Sequence, residues 1–360
     1  MNFRRNGVLI LGIETSCDET AVAVVENGKR IVANALFSSI FAHKEFGGVV
    51  PEIAVRVHLE KINLILKKAK VDFNKIDAIA VTYGPGLIGA LLVGVSFAKA
   101  LAFKRKIPLI KINHLIAHLY APFLNPPVNI AENKNQMFRD QVFPAVGAII
   151  SGGHSSLIYL KSFKDCQLLG QTRDDAAGEA FDKVAKILNL GYPGGPIIDK
   201  LASKGEANIK FNCASLKSSL DFSFSGVKTA VLYKYKCKMV NKNPKIKSKS
   251  KIKENLKIKK ADIAASFQKA VVDVLVKKAI AACLFKKCKN LILGGGVTAN
   301  SYFRKEILKK TAEQGINLFY PLAEFCTDNA AMVAGLAYHL YDDKKYLANL
   351  NLAPCADLGI

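Results

Sequence analysis

The chain has eight cysteines (Cys17, Cys166, Cys213, Cys237, Cys283, Cys288, Cys326 and Cys355), yet no C-x-x-C pair. That absence argues against the paired-cysteine zinc and redox motifs. It leaves free thiols, as expected of a protein in a reducing cytoplasm. Long apolar runs are also missing. Residues 8–13 are too brief for the core of a signal peptide and suit a strand. Residues 87–103 are short for a membrane span and include Lys99, so a buried helix after a glycine turn is expected, with no membrane partner. No Walker A sequence occurs, which removes one of the commonest phosphate-loop signatures. Acidic residues are few: 29 against 52 basic ones, for a formal net charge of +23.

The excess positive charge is concentrated. Residues 234–260 hold 12 lysines and a single acid, Glu254. With few large apolar residues, this block reads either as a solvated insertion or as an arm attracted to a phosphate backbone. An RNA partner fits the charge without being established by it. At 360 residues the chain exceeds one simple core, so two lobes are expected.

The order of elements repeats. Residues 8–25 read as strand, polar turn and strand, with a third strand at 30–36. Residues 145–159 repeat the hairpin. In the first unit a helical stretch at 57–69, with Leu59, Ile62, Leu66 and Ala69 on one side, leads to a strand at 78–82, the turn Gly84-Pro-Gly86 and the apolar helix. In the second unit a helix at 263–284 leads to a strand at 291–293, the turn Gly294-Gly-Gly296 and a helix at 300–314. Two such units predict a duplicated, two-lobed α/β fold with a cleft between the lobes. Four glycine turns (84–86, 151–153, 194–195 and 294–296) fit a phosphorylated ligand, because glycine lets backbone amides approach an anion closely.

His114 and His118 stand four residues apart in an apolar run. On a helix they share one face, one turn apart, as two ligands of one metal require. Asp328, expected between a strand and a helix at 329–341, is the candidate third ligand. A zinc protease needs H-E-x-x-H, with the glutamate as base, but Leu115 follows His114. The site therefore suits a metal that binds and polarises a substrate.

Several segments together resemble one family. They are Gly12-Ile-Glu-Thr-Ser-Cys-Asp-Glu-Thr20, Gly47-Gly-Val-Val-Pro-Glu52, residues 113–118, Ser151-Gly-Gly-His154, Asp174-Asp-Ala-Ala-Gly-Glu-Ala-Phe-Asp-Lys183, Tyr192-Pro-Gly-Gly-Pro196, Phe222-Ser-Phe-Ser-Gly226, Gly294-Gly-Gly-Val297 with Asn300, and Cys326-Thr-Asp-Asn-Ala-Ala-Met332. The chain resembles, from about residue 8 to 341, the TsaD (Gcp/OSGEP) family of tRNA N6-adenosine threonylcarbamoyltransferases, in its bacterial-type branch. The resemblance implies the actin-like, sugar-kinase and Hsp70 (ribonuclease H-like) fold. It would place 8–113 and about 325–345 in the first lobe, and about 114–324 in the second, with 234–260 inserted.

The implied activity is transfer of threonylcarbamoyl from threonylcarbamoyl-adenylate to N6 of adenosine 37, in tRNAs reading codons that start with A, with release of AMP. The implied metal ligands are His114, His118 and Asp328, holding one divalent ion, iron ahead of zinc. The implied substrate contacts are Ile149, Ile150, Ser151, Gly152, Gly153, Asp182, Gly195, Asp199 and Asn300. The attacking amine belongs to the RNA base, so no protein nucleophile is assigned. Implied partners are tRNA, a TsaB-like paralogue and a TsaE-like ATPase. An ATP-dependent small-molecule kinase of the same superfold is the alternative. Asp182 and Asp199 also suit helix-surface pairing, Gly195 a plain turn, and Asn300 a helix cap. His154 suits a turn or orienting role. Arg173, where the family more often has an aliphatic residue, suits either a phosphate or solvent.

Overall fold

The computed structural model describes residues 7–124, 142–214, 216, 219–240 and 259–360. Apolar residues dominate 9–38, and the segment folds as an antiparallel meander of β1 (Leu9–Glu14), β2 (Glu19–Glu26) and β3 (Arg30–Ser38). After α1 (Ile40–His43) and α2 (Pro51–Lys68), β4 (Ala78–Gly84) returns parallel to β1. Then α3 (Ile88–Arg105) carries the chain to β5 (Leu109–Asn113), parallel to β4, and α4 (His114–Tyr120) follows directly.

The second unit repeats this plan. β6 (Ala145–Ile150), β7 (Ser155–Ser162) and β8 (Asp165–Gln171) form the meander. Four helices follow: α5 (Ala177–Ile187), α6 (Gly194–Ala202), α7 (Ser225–Val240) and α8 (Lys260–Lys286). β9 (Asn290–Gly294) lies parallel to β6, and beyond α9 (Ser301–Glu313), β10 (Asn317–Phe319) lies parallel to β9. The strand orders are β3-β2-β1-β4-β5 and β8-β7-β6-β9-β10, so the expected duplication is realised strand for strand. The chain closes with α10 (Ala330–Leu340) and β11 (Leu347–Ala348), which extends the first sheet beside β5.

Three buried clusters hold the fold. One lies between the sheets, where residues of α4 and α10 pack with Ile10, Ala80 and Ile110 of the first sheet and Ile149 and Ile292 of the second. The others lie on the outer faces, under α2 and α3 and under α5 to α9. Burial of apolar side chains on both faces of each sheet supplies the main stabilisation, at roughly 25 cal/mol per Å² removed from water.

Some expectations shift. The inner face of α2 carries Ala54, His58, Ile62 and Ile65, whereas Leu59 is 61% exposed. The apolar helix at 87–103 is buried on one side only, since Ile88, Leu92 and Phe103 of α3 face outward. Asp328 does not directly follow a strand: β10 ends at Phe319, and a single 3-10 turn, Ala323–Phe325, intervenes. Of the lysine block, 234–240 forms the end of α7 and Lys260 opens α8. Residues 241–258 lie outside the described residues.

Candidate active site

Asn113 ends β5 and caps α4, its side chain accepting from the Leu115 and Ile116 amides at 2.9 and 3.3 Å. This cap satisfies amides that a helix start leaves open. It fixes the turn on which His114 and His118 stand. Their rings meet edge to face, with centroids 4.6 Å apart. Asp328 immediately precedes Asn329, which caps α10 through the Met332 amide at 2.9 Å. Its Oδ1 lies 3.0 Å from His118 Nε2 and 3.4 Å from His114 Nε2. One donor atom from each of the three residues falls within 4.8 Å of the others, so the sequence-predicted trio does converge.

The far side of His114 is also held. Nδ1 donates to Glu14 Oε2 at 3.2 Å and lies 3.2 Å from Ser16 Oγ. Glu14 is fully buried. It accepts from the Ser16 amide and from Thr82 Oγ, each at 2.6 Å. A carboxylate behind a histidine fixes the tautomer that leaves Nε2 free for a ligand, the usual support of a metal-binding imidazole. His118 Nδ1 is buried with no hydrogen-bond partner among the described residues, a state that bound water or an ion normally relieves.

Electrostatics agree. Burial disfavours charge on each group, yet Asp328 and Glu14 together hold the His114 imidazole well above its ordinary range. Against the same burial, His114 and then His118 hold Asp328 far below the carboxylate range, and His114 lowers Glu14. The site draws positive charge. Two imidazoles and a carboxylate form a donor set for a borderline divalent cation, so the residues fit the implied metal.

The four glycine turns differ: Gly84, Gly86, Gly294 and Gly295 pack against main chain, and only the turns at 151–153 and 194–195 carry glycines that face open space. Ile149 and Ile150 end β6, and Ser151 to Gly153 make the turn into β7, closed by the Ser151 amide on His154 O at 2.8 Å. A side chain added at Gly152, Gly153 or Gly195 would meet nothing within 4 Å, so these backbones border open space. His154 stays in the turn and outside the trio. Burial, with the charges of His114 and His118, pushes its imidazole down to about 4.

The other predicted contacts are tied to helix starts. Asp182 accepts from the Gly194 amide at 2.7 Å, holding the first turn of α6 beside Gly195. Asp199 accepts from the Ser301 amide and hydroxyl, each at 2.9 Å. Asn300 caps α9 through the Phe303 amide at 2.9 Å and donates to Gln268 Oε1 at 3.0 Å. Asp182 therefore braces the turn that carries Gly195, and Asp199 and Asn300 brace the start of α9. Arg173 pairs with Asp221 and is 66% exposed, so it faces solvent.

Sequence reasoning missed Glu14, Ser16, Cys17 and Glu19. Burial, then the charges of Asp328 and Asp18, push the Cys17 thiol and the Glu19 carboxyl well above their ordinary ranges. Two carboxylates spaced five apart around a polar turn, in Glu14-Thr-Ser-Cys-Asp-Glu19, were the available signal.

Asp182 carries a testable cost. Burial lifts its carboxyl to about 6 despite the Gly194 and Gly195 amides. A raised carboxyl binds more protons folded than unfolded, so it lowers stability as pH rises through this range. Asp182→Asn keeps an acceptor for the Gly194 amide and removes that cost. The lift corresponds to at most about 3 kcal/mol, and partial solvent access reduces the expected gain to about 1–2 kcal/mol. Denaturant unfolding should find the variant more stable at about pH 7.5, with the gain shrinking towards about pH 4. An equal gain at both would show that ionisation is not its source.

Comparison with known proteins identifies the family. Residues 30–335 match the family model TsaD, tRNA N6-adenosine threonylcarbamoyltransferase. Curated proteins of that name from Caldicellulosiruptor saccharolyticus and Thermosipho melanesiensis are each 48% identical, covering 92% and 98% of this chain and 92% and 100% of their own. The fold aligns with component A of the (R)-2-hydroxyglutaryl-CoA dehydratase of Acidaminococcus fermentans at 16% identity and a TM-score of 0.52, over 92% of this chain and 98% of that one. It also aligns with full-length HypF at 13% identity and a TM-score of 0.56, over 94% of this chain and 47% of that one. These two likenesses bear on the fold alone, which is the duplicated, two-lobed actin-like architecture. With the family model spanning most of the chain and relatives at nearly half identity over almost its whole length, the chain belongs to the TsaD family of tRNA N6-adenosine threonylcarbamoyltransferases.

Proposed function

We propose that the chain transfers threonylcarbamoyl from threonylcarbamoyl-adenylate to N6 of adenosine 37 in tRNAs reading codons that start with A. The observation that carries this reading is the convergence of His114, His118 and Asp328 beside glycine turns that border open space. The N6 amine attacks the carbamoyl carbon, the new N–C bond replaces the C–O bond to phosphate, and AMP leaves while the amine loses a proton. The donor is already activated, so the chain's task is to bind, orient and stabilise charge.

Backbone amides at Gly152 and Gly153 suit the anionic phosphate. Asp182 holds the turn at Gly195, Asp199 and Asn300 hold the start of α9, and all three offer acceptors to hydroxyl or amine groups. His114, His118 and Asp328 would hold one divalent metal, iron ahead of zinc, which when bound supplies Lewis-acid polarisation to donor oxygens. Glu14 and Ser16 orient His114 for that task.

The lobes are proposed to divide as 8–113 with 325–345, and 114–324. A cytoplasmic setting agrees with the free thiols among the described residues. No helix among the described residues is long and apolar enough to cross a membrane. A TsaB-like paralogue is proposed to cover the outward apolar residues Leu59 of α2 and Ile88 and Leu92 of α3, as partners cover such patches. A TsaE-like ATPase is proposed on the family resemblance alone.

The deciding experiment incubates the chain with unmodified tRNA, threonylcarbamoyl-adenylate and the two partner proteins, followed by nucleoside mass analysis. Threonylcarbamoyladenosine and AMP are expected in equal amounts. No modified nucleoside from the complete mixture, with ATP-dependent phosphorylation of a small molecule instead, would replace this reading by the kinase one.

A further inference from the structure

The geometry points to Arg304 as a positioning residue that sets Asp328 against His114 and His118. It sits on α9, one turn beyond the Asn300 cap, and its guanidinium joins three separate segments. Nε donates to Thr298 O at 2.7 Å, and Nη2 donates to Pro321 O at 2.9 Å and lies 3.2 Å from Cys326 Sγ. The same group lies over the Tyr320 ring, 5.2 Å from its centroid. A planar, always-charged fork with five donors can bridge several acceptors in fixed directions, which a flexible ammonium cannot do.

Each of these contacts leads to the metal trio. Cys326 is fully buried and stands two residues before Asp328. Its thiol lies 3.4 Å from Leu322 O, so the turn ahead of Asp328 is closed on itself and fastened to Arg304. On the far side of Asp328, Asn329 Nδ2 donates to Thr327 O at 2.9 Å. The carboxylate is therefore held between two anchors.

Thr298 leads the other way. Its hydroxyl donates to Gly295 O at 2.7 Å, which fixes the turn after β9. Gly294, the last residue of β9, lies against the main chain of His118, where an added Cβ would stand 2.7 Å from His118 O. The contacts close a ring: His118, Gly294, Thr298, Arg304, Cys326, Asp328 and back to His118. Arg304 is the one side chain in this ring that reaches both the glycine turn and the Asp328 loop. By this account it fixes the distance between ligands that lie 210 residues apart in sequence.

The inference rests on the metal reading of the site and is independent of the transfer reaction. Its probe is Co²⁺ added to the metal-free full chain, read by visible absorption and by chelator competition. Arg304→Gln loses the charge, and Arg304→Lys keeps the charge but loses the fork. Both should bind Co²⁺ about 10- to 100-fold more weakly, the range for residues that support metal ligands, with an altered absorption band. Thr311→Ala is the control. It removes a 2.8 Å bond to Ile307 O in the same helix and should lower thermal stability while leaving Co²⁺ affinity unchanged.

A second readout needs no metal. Amide exchange at Phe325 and Cys326, whose N–H groups close the turn on Leu322 O and Ala323 O, should quicken in both Arg304 variants and stay unchanged in Thr311→Ala. If the wild-type chain binds no Co²⁺, the metal reading fails and this exchange alone decides the anchoring role. Wild-type affinity, spectrum and exchange in Arg304→Lys would overturn the proposal. So would a Thr311→Ala protein that loses as much Co²⁺ affinity as the Arg304 variants. If Arg304→Gln does not fold, Arg304→Lys carries the test.

Discussion

Asp328→Ala should leave the protein folded, strip it of metal and reduce threonylcarbamoyl transfer by more than about 100-fold. Loss of a residue that merely supports a ligand costs about 10- to 100-fold in metal affinity or activity, so loss of a ligand exceeds that range. Asp328 is the carboxylate shared by the two ring nitrogens that face it, at 3.0 and 3.4 Å, whereas Glu14 addresses His114 from the opposite side. No other group of three such ligands converges among the described residues. Removing one partner of a buried ion pair usually costs about 3–5 kcal/mol. Here His114 can release its proton once Asp328 is gone, so most of that cost is avoided and the fold survives. Asp328→Asn separates charge from shape, because it keeps an acceptor beside His118 and loses the anion. Elemental analysis and the nucleoside assay check both variants. A full complement of metal in Asp328→Ala would remove this residue from the ligand set.

What could be read from the sequence was local or repeated. The spacing of His114 and His118 is local, and a helix converts it directly into a shared face. The doubled order of hairpin, helix, strand, glycine turn and helix is repeated, and it became two sheets with one strand order. Asp328 is neither: its place ahead of a helix makes it a candidate, but its approach to the histidines depends on how the two halves of the chain fold together. Glu14 was passed over because a carboxylate at a strand end reads as the start of a polar turn. Only pairing of β1 with β4, which brings up Thr82, and the arrival of His114 make its full burial tolerable. Leu59 failed for a different reason. Helical periodicity identifies apolar stripes but not which one meets the sheet, and on α2 the inner stripe includes His58, bonded to Thr20 at 2.8 Å. Asp182, Asp199 and Asn300 were read as substrate contacts or helix braces, and the hydrogen bonds display the brace in each case.

Gly294→Ala should lower stability by about 1–3 kcal/mol, the ordinary cost of overpacking a close-packed interior, and weaken metal binding in the same protein. Gly294 ends β9 in parallel register with Ile149 of β6. An added methyl would stand 2.7 Å from His118 O, 2.8 Å from its carbonyl carbon and 3.0 Å from its Cβ. These are main-chain and first side-chain atoms of a buried helix, so no flexible group can swing aside. α4 must shift by some tenths of an ångström, and it carries His118 with it. Metal–ligand distances tolerate only about 0.2 Å, so a displacement small for the fold is large for the site. Gly152→Ala is the contrasting case. Its added methyl would meet nothing within 4 Å, so stability and metal affinity should both stay at wild-type values, while donor binding at the open turn weakens. Thermal unfolding and Co²⁺ titration of the two variants check the pair. Wild-type metal affinity in Gly294→Ala would show that α4 absorbs the methyl without moving His118, and the glycine would then matter only for packing the strand end.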